Sequence, residues 1–199
     1  MNWKEPLHKL EYEEAFDIAI FFMQTVIEKK PSDRDAYLAL IYLLADTMIE
    51  PHSWELQTLP DQIKKDYYRS KESEYETLAK KYFALSYFKF MKDPEYLFIV
   101  GHAFIACPWI VGLGDNYPEI TFKKAHELDP DNPIYLGDHY NNIYQQDPTN
   151  LELIKWAKLM HSTNSPLDAW QGKGRVWDYT AGMLRRLSRR ILKMPPFDI

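Results

Sequence analysis

Cysteine and glycine are both scarce: the 199 residues include one cysteine, Cys107, and seven glycines. A lone cysteine excludes an internal disulfide and any zinc site built on several thiolates. Since disulfides are characteristic of oxidising compartments, we expect a reducing compartment, the cytoplasm. The tight turns of β-hairpins depend on glycine, so its scarcity favours helices over hairpins.

Long apolar runs are also missing. The first run, 18–23, falls far short of the roughly 20 residues that a membrane-spanning helix needs. The second run, 96–113, is interrupted by Gly101, His102 and Pro108, which indicates a buried helix. The N-terminus is charged and lacks the pattern of a signal peptide, so we expect neither a leader nor a membrane span.

The sequence has no clear pattern of catalytic or metal-binding residues. Glu5 and His8 form one carboxylate–histidine pair, whereas a helical di-metal site needs further carboxylates. His102 and Cys107 lie five residues apart on one predicted helix, so their side chains diverge and cannot form a nucleophilic pair. Cys107 is better explained as an apolar core residue. We therefore predict no catalytic residue, no metal ligand and no cofactor.

The composition and periodicity of the sequence predict a single all-α domain over 1–199. The chain is 46% hydrophobic and 15% aromatic, which is ample for a core. Its apolar residues recur at three- and four-residue spacings, the period of a helix. The first two predicted helices are 9–29 and 35–50, and Pro51 ends the second. A further helical segment starts at 61 and either continues through 75 or breaks near 70–73, and the helix after it ends before 93. The remaining predicted helices are 96–106, 118–128, 134–146, 151–160 and 175–193.

The helix 96–106 is apolar on every side apart from His102. A helix without a polar face must be covered on most sides, so we place it at the centre of the domain. The residues predicted to be buried there are Phe98, Ile99, Ala103, Phe104 and Ala106.

Corners containing proline separate many of these helices. At the most informative corner, Pro130 ends one helix, Asp131 or Asn132 caps the next, and Pro133 suits its first turn. The four corners are centred on Pro31, Pro94, Pro130 and Pro148, with spacings of 63, 36 and 18 residues. The spacing of 36 residues is the length of one helical-hairpin repeat, 63 residues is about two repeats, and 18 residues is half of one. This pattern predicts stacked antiparallel hairpins.

Two of these corners carry residues that resemble the tetratricopeptide repeat. The matching residues are Ala19, Pro31, Ala36, Tyr37 and Leu40 around the first corner, and Phe122, Ala125, Pro130 and Tyr135 around the third. The resemblance covers residues 12–50 and 118–147. It implies a right-handed superhelix that serves as a protein-binding scaffold, with first-helix side chains lining a concave surface. The family's peptide-carboxylate clamp is not recognisable, so no ligand residue is carried over.

Two histidines stand out as candidate binding residues. His102 is either a core histidine bonded to a carbonyl or carboxylate, or the polar floor of a pocket. His139 follows Asp138 near the start of a helix, where the resemblance implies partner contacts. With Tyr135 and Asn142 it forms our predicted partner-binding set. The alternative for this set is an ordinary solvated helix face.

Charge divides the chain into an acidic body and a basic tail. Residues 1–172 hold 17 Lys and Arg against 27 Asp and Glu, a net charge of −10, whereas 173–194 hold seven basic residues against Asp178, a net charge of +6. In the tail helix Leu184, Leu187 and Ile191 mark an apolar face. Such a helix binds membrane or nucleic acid, or packs on its own domain. We predict packing, because the acidic body repels phosphate.

These observations leave three classes of function open. The favoured one is a protein-interaction module of the cytoplasm, and within it an immunity or antitoxin-type protein that masks a basic partner by charge complementarity. The second is an enzyme or small-ligand-binding protein with a pocket near His102. The third is a nucleic-acid or membrane adaptor acting through the basic tail.

Overall fold

A computed structural model of the chain describes residues 2–53, 62–105 and 116–193. These ranges form nine α-helices and two 3-10 helices and contain no β-strand, which confirms the predicted all-helical fold. The α-helices are α1 (Lys4–Tyr12), α2 (Phe16–Lys29), α3 (Arg34–Ser53), α4 (Gln62–Phe90), α5 (Pro94–Phe104), α6 (Tyr117–Leu128), α7 (Gly137–Gln146), α8 (Leu151–Met160) and α9 (Arg175–Ile191). The 3-10 helices are Pro133–Leu136 and Pro166–Trp170.

Side-chain caps hold several of the corners between these helices. Asn132, one of the two candidate caps at its corner, accepts a hydrogen bond from the backbone N–H of Ile134 at 3.2 Å, and Pro133 begins the 3-10 helix that leads into α7. Asp93 accepts from the N–H of Tyr96 at 3.0 Å, at the start of α5. Asn150 caps α8 in the same way. Each cap satisfies N–H groups that a helix start leaves unpaired.

The prediction of one helix over 9–29 is wrong. The chain breaks after Tyr12, Glu14 takes a φ of 53°, and α2 begins at Phe16. The N–H of Ala15 donates to the carbonyl of Leu10 at 2.9 Å, which closes the end of α1 with a wider turn. Separating α1 from α2 lets Leu7 be buried while α2 buries its own apolar face.

Pro51 does not end α3, which continues to Ser53. The proline removes one backbone hydrogen bond and crowds the preceding turn, and the helix extends only two residues beyond it. The segment 54–61, where we predicted a loop and a helix starting at Asp61, lies outside the described residues. From Gln62 onward α4 is continuous through 70–73, so the unbroken alternative is the right one.

The helix α5 is buried throughout its length after the first turn, as predicted. Phe98, Ile99, Ala103 and Phe104 are all buried, whereas Ala106 and Cys107 lie outside the described part of the chain. A close approach by α6 depends on Gly101, because a Cβ there would lie 2.4 Å from the Oγ1 of Thr121. The central position of α5 thus rests on both its apolar surface and its one glycine.

The basic helix α9 packs on the body through its apolar face. Trp177, Leu184 and Ile191 are buried in the main hydrophobic core, and Leu187 is partly buried against it. The indole N–H of Trp177 donates to Glu95 at 2.7 Å. The predicted packing is confirmed, and this face is consequently not available to a membrane surface. No helix in the described ranges has the length and apolarity to cross a bilayer.

Candidate functional site

The helices α6 and α7 and the 3-10 helix between them line a groove of about 390 Å³, which we call the hairpin groove. Its α6 side consists of Glu119, Phe122, Lys123 and His126. Its other side consists of Tyr135 and Leu136 from the 3-10 helix and Asp138, His139 and Asn142 from α7. Both sets recur at spacings of three, four and seven residues, so each presents one helix face to the groove.

The three predicted partner-binding residues therefore meet at one place. Tyr135 is buried and forms part of the floor, with its ring centroid 5.2 Å from that of Phe98. His139 and Asn142 are exposed on the rim, one turn apart on α7. The structure brings these side chains together, while their role in binding stays a prediction.

Two carboxylates in the hairpin groove lack a cationic partner. Among the described residues, neither Glu119 nor Asp138 forms a side-chain hydrogen bond or an ion pair. Burial raises the pKa of the Asp138 carboxyl, and the negative charge of Glu119 raises it further. His126 adds a buried ring nitrogen, Nδ1, that has no hydrogen-bond partner in the described part of the protein. A cationic group entering the groove would find unpaired acceptors.

The structure places His102 in the core, while its role as the floor of a pocket stays a prediction. Its ring is 7% exposed and lies between Phe98 and Phe122, with a centroid distance of 4.7 Å to each. Neither ring nitrogen has a hydrogen-bond partner among the described residues, so the prediction of a bonded core histidine is wrong. His102 does not line the hairpin groove, from which Phe122 separates it.

His102 should make the protein less stable in mild acid. Burial lowers its pKa from 6.5 to about 3, because the charged imidazole has no solvation at this position. As the pH falls below 6.5 the unfolded chain takes up the proton first, and the free energy of unfolding falls by about 1.4 kcal/mol for each further pH unit until the pH nears 3.

Two substitutions separate the effects of charge and polarity at this position. His102→Gln removes the titration but keeps polar atoms, so it should remove only the acid-dependent loss. His102→Leu should also raise stability at neutral pH by about 1–3 kcal/mol, the cost of an unsatisfied buried polar group. Urea denaturation at several pH values measures both effects. Wild-type and His102→Gln proteins with parallel pH profiles would contradict this interpretation.

A second, larger groove was not expected from the sequence. It measures about 820 Å³ and lies between α1, the beginning of α2, α3 and the start of α9, and we call it the N-terminal groove. Glu5 and His8, considered above as a metal-binding pair, both line it. No group of three or more metal-ligating side chains occurs among the described residues, so the pair has no third ligand there. The groove's walls come from three distant parts of the chain, and no local motif could have revealed it.

Comparison of the chain with protein-family models, curated proteins and solved structures finds no match. Inference about function therefore starts from the two grooves and their chemistry.

Proposed function

We propose that this protein is a cytoplasmic binding scaffold of tetratricopeptide-like helical hairpins, and that a basic segment of a partner protein binds in its hairpin groove. The observation that carries this proposal is the meeting of Tyr135, His139 and Asn142 with two unpaired carboxylates in one groove. Two parallel stripes of side chains with an aromatic floor suit an extended or helical segment of another protein.

The charges favour a basic partner over an acidic or neutral one. Asp138 is already partly desolvated beside the like charge of Glu119, and this arrangement costs free energy in the unbound protein. An arginine or lysine placed between the two carboxylates would offset that cost. The net charge of −10 on residues 1–172 adds long-range attraction, which raises the rate of association with a basic protein.

Masking a basic protein is the biological role that follows most directly from these features. A toxin that acts on nucleic acid carries a cationic surface for phosphate, and an acidic helical protein covering that surface would inhibit it. We therefore propose an immunity or antitoxin-type function, in which the scaffold acts by occupying its partner and performs no chemistry.

Removing the two carboxylates should weaken partner binding by about tenfold or more, equivalent to about 1.4 kcal/mol. We would purify tagged wild-type protein, the double variant Glu119→Gln/Asp138→Asn, and the control Glu127→Gln/Glu152→Gln, and identify bound proteins by mass spectrometry. The control removes the same charge from exposed residues that do not line the groove. A basic protein captured by the wild type and control, and lost from the groove variant, is the expected result.

The partner so identified should also bind more weakly as salt rises, because exposed charges are screened over about 10 Å at 0.1 M ionic strength. Equal capture by all three proteins would place the contact elsewhere on the molecule. Failure to capture any basic protein, with all three proteins folded, would contradict the proposal.

A further inference from the structure

The N-terminal groove has the size and lining of a small-molecule site. Its volume of about 820 Å³ falls within the roughly 300–1,000 Å³ range of ligand pockets. Four aromatic side chains contribute to its walls: Trp3, Tyr12, Phe16 and Tyr42. Three of these are buried, whereas Tyr12 is 85% exposed and forms an open edge. The protein already covers most of the three buried rings, so Tyr12 supplies the largest aromatic surface open to a ligand.

The two cations in the groove walls are already paired. Lys4 lies 3.7 Å from Asp35, and Arg175 lies 2.9 Å from Asp46. Their charges are therefore compensated within the protein, and they offer little attraction to an anionic ligand.

The carboxylates of Glu11 and Asp178 are in the opposite situation. Both line the groove, and neither forms an ion pair or a side-chain hydrogen bond with another described residue. Burial raises the pKa of both carboxyls. The positive charge of Arg175 opposes this rise at Glu11, and those of His8 and Arg185 oppose it at Asp178, without cancelling it. His8 lies close enough to influence both carboxylates. The groove thus combines aromatic walls with unpaired negative charge.

We infer that the N-terminal groove is a binding site for an organic cation, an amine or guanidine carried on an apolar body, whose charge meets Glu11 and Asp178. Aromatic rings attract cations through their faces, so the exposed ring of Tyr12 favours the same ligand as the carboxylates do. This site is independent of the hairpin groove and does not rest on the function proposed for it. The volume of the groove suits a small ligand.

Three matched probes test the predicted charge preference on the wild-type protein. We would titrate 2-phenylethylamine, 2-phenylethanol and 3-phenylpropionate by isothermal calorimetry at about pH 8, where an alkylamine keeps its proton and a histidine ordinarily carries none. The three probes share a phenylalkyl body and differ in charge. We expect the amine to bind about tenfold or more tightly than the alcohol, and the carboxylate to bind least.

Variants of the groove locate the binding. Glu11→Gln and Asp178→Asn should each lower the affinity for the amine about tenfold and reduce its advantage over the alcohol. Tyr12→Ala should lower the affinity several-fold without loss of stability, because that side chain is exposed. Glu152→Gln, at an exposed position that lines neither groove, is the matched control and should leave amine binding unchanged.

Several outcomes would overturn the inference. These are equal affinity for the amine and the alcohol, no binding of the amine up to about 10 mM, and an affinity equal to wild type in folded Glu11→Gln and Asp178→Asn proteins. Because the comparison of probes uses the wild-type protein, it decides the question even where a variant fails to fold.

Discussion

Replacing Phe104 with alanine is expected to lower the free energy of unfolding by about 3–5 kcal/mol. The Phe104 ring is fully buried at the end of α5, and its centroid lies 5.5 Å from that of Phe83 in an edge-to-face arrangement. Phe83 also contacts Tyr117 at the start of α6, again at 5.5 Å. Truncation would therefore leave a cavity where α4, α5 and α6 meet.

The measurement is urea denaturation of the wild type, Phe104→Ala and Phe88→Ala. Phe88 provides a matched control, because it is also a phenylalanine in a helix but is 79% exposed. Its replacement removes the same atoms with almost no change in burial, so we expect an effect within about 0.5 kcal/mol. A similar midpoint for both variants would mean that α5 does not form the centre of the core.

Much of the fold could be predicted because its determinants are local. The corner at Pro130 depends on residues within a few positions of one another, and so does the cap that Asn132 provides. The central position of α5 follows from its composition, since an apolar helix must be covered. The break at Glu14 was missed because neither glycine nor proline marks it and the apolar pattern continues across it.

The candidate sites show the same division between local and long-range determinants. Tyr135, His139 and Asn142 share a face by helical periodicity, so the sequence could group them. The approach of Glu119 to Asp138 depends on how α6 packs on the 3-10 helix Pro133–Leu136 that leads into α7, which no local pattern specifies. The unpaired state of His102 was also beyond prediction, because it depends on what the neighbouring helices place around the ring. The N-terminal groove was missed entirely, since its walls meet only after α9 has returned to α1.

The docking of α9 should depend on its apolar face far more than on its arginines. Leu184 is 3% exposed, and its Cδ2 lies 2.3 Å from where a Cβ on Gly137 would stand, so α9 packs directly against the start of α7. Leu187, which belongs to the same predicted apolar face, is only partly buried. The structure makes Leu184 the stronger test of the same hypothesis.

Leu184→Asp should destabilise the whole protein by about 3–5 kcal/mol, because it loses apolar burial and places an unpaired carboxylate in the core. The double charge reversal Arg186→Glu/Arg190→Glu, on the exposed face, should change stability by about 1 kcal/mol or less, since exposed ion pairs are weak. Thermal and urea denaturation of both variants measure the contrast. A stable Leu184→Asp protein would show that α9 is a separable arm, and its basic face would then become the first place to look for an anionic partner.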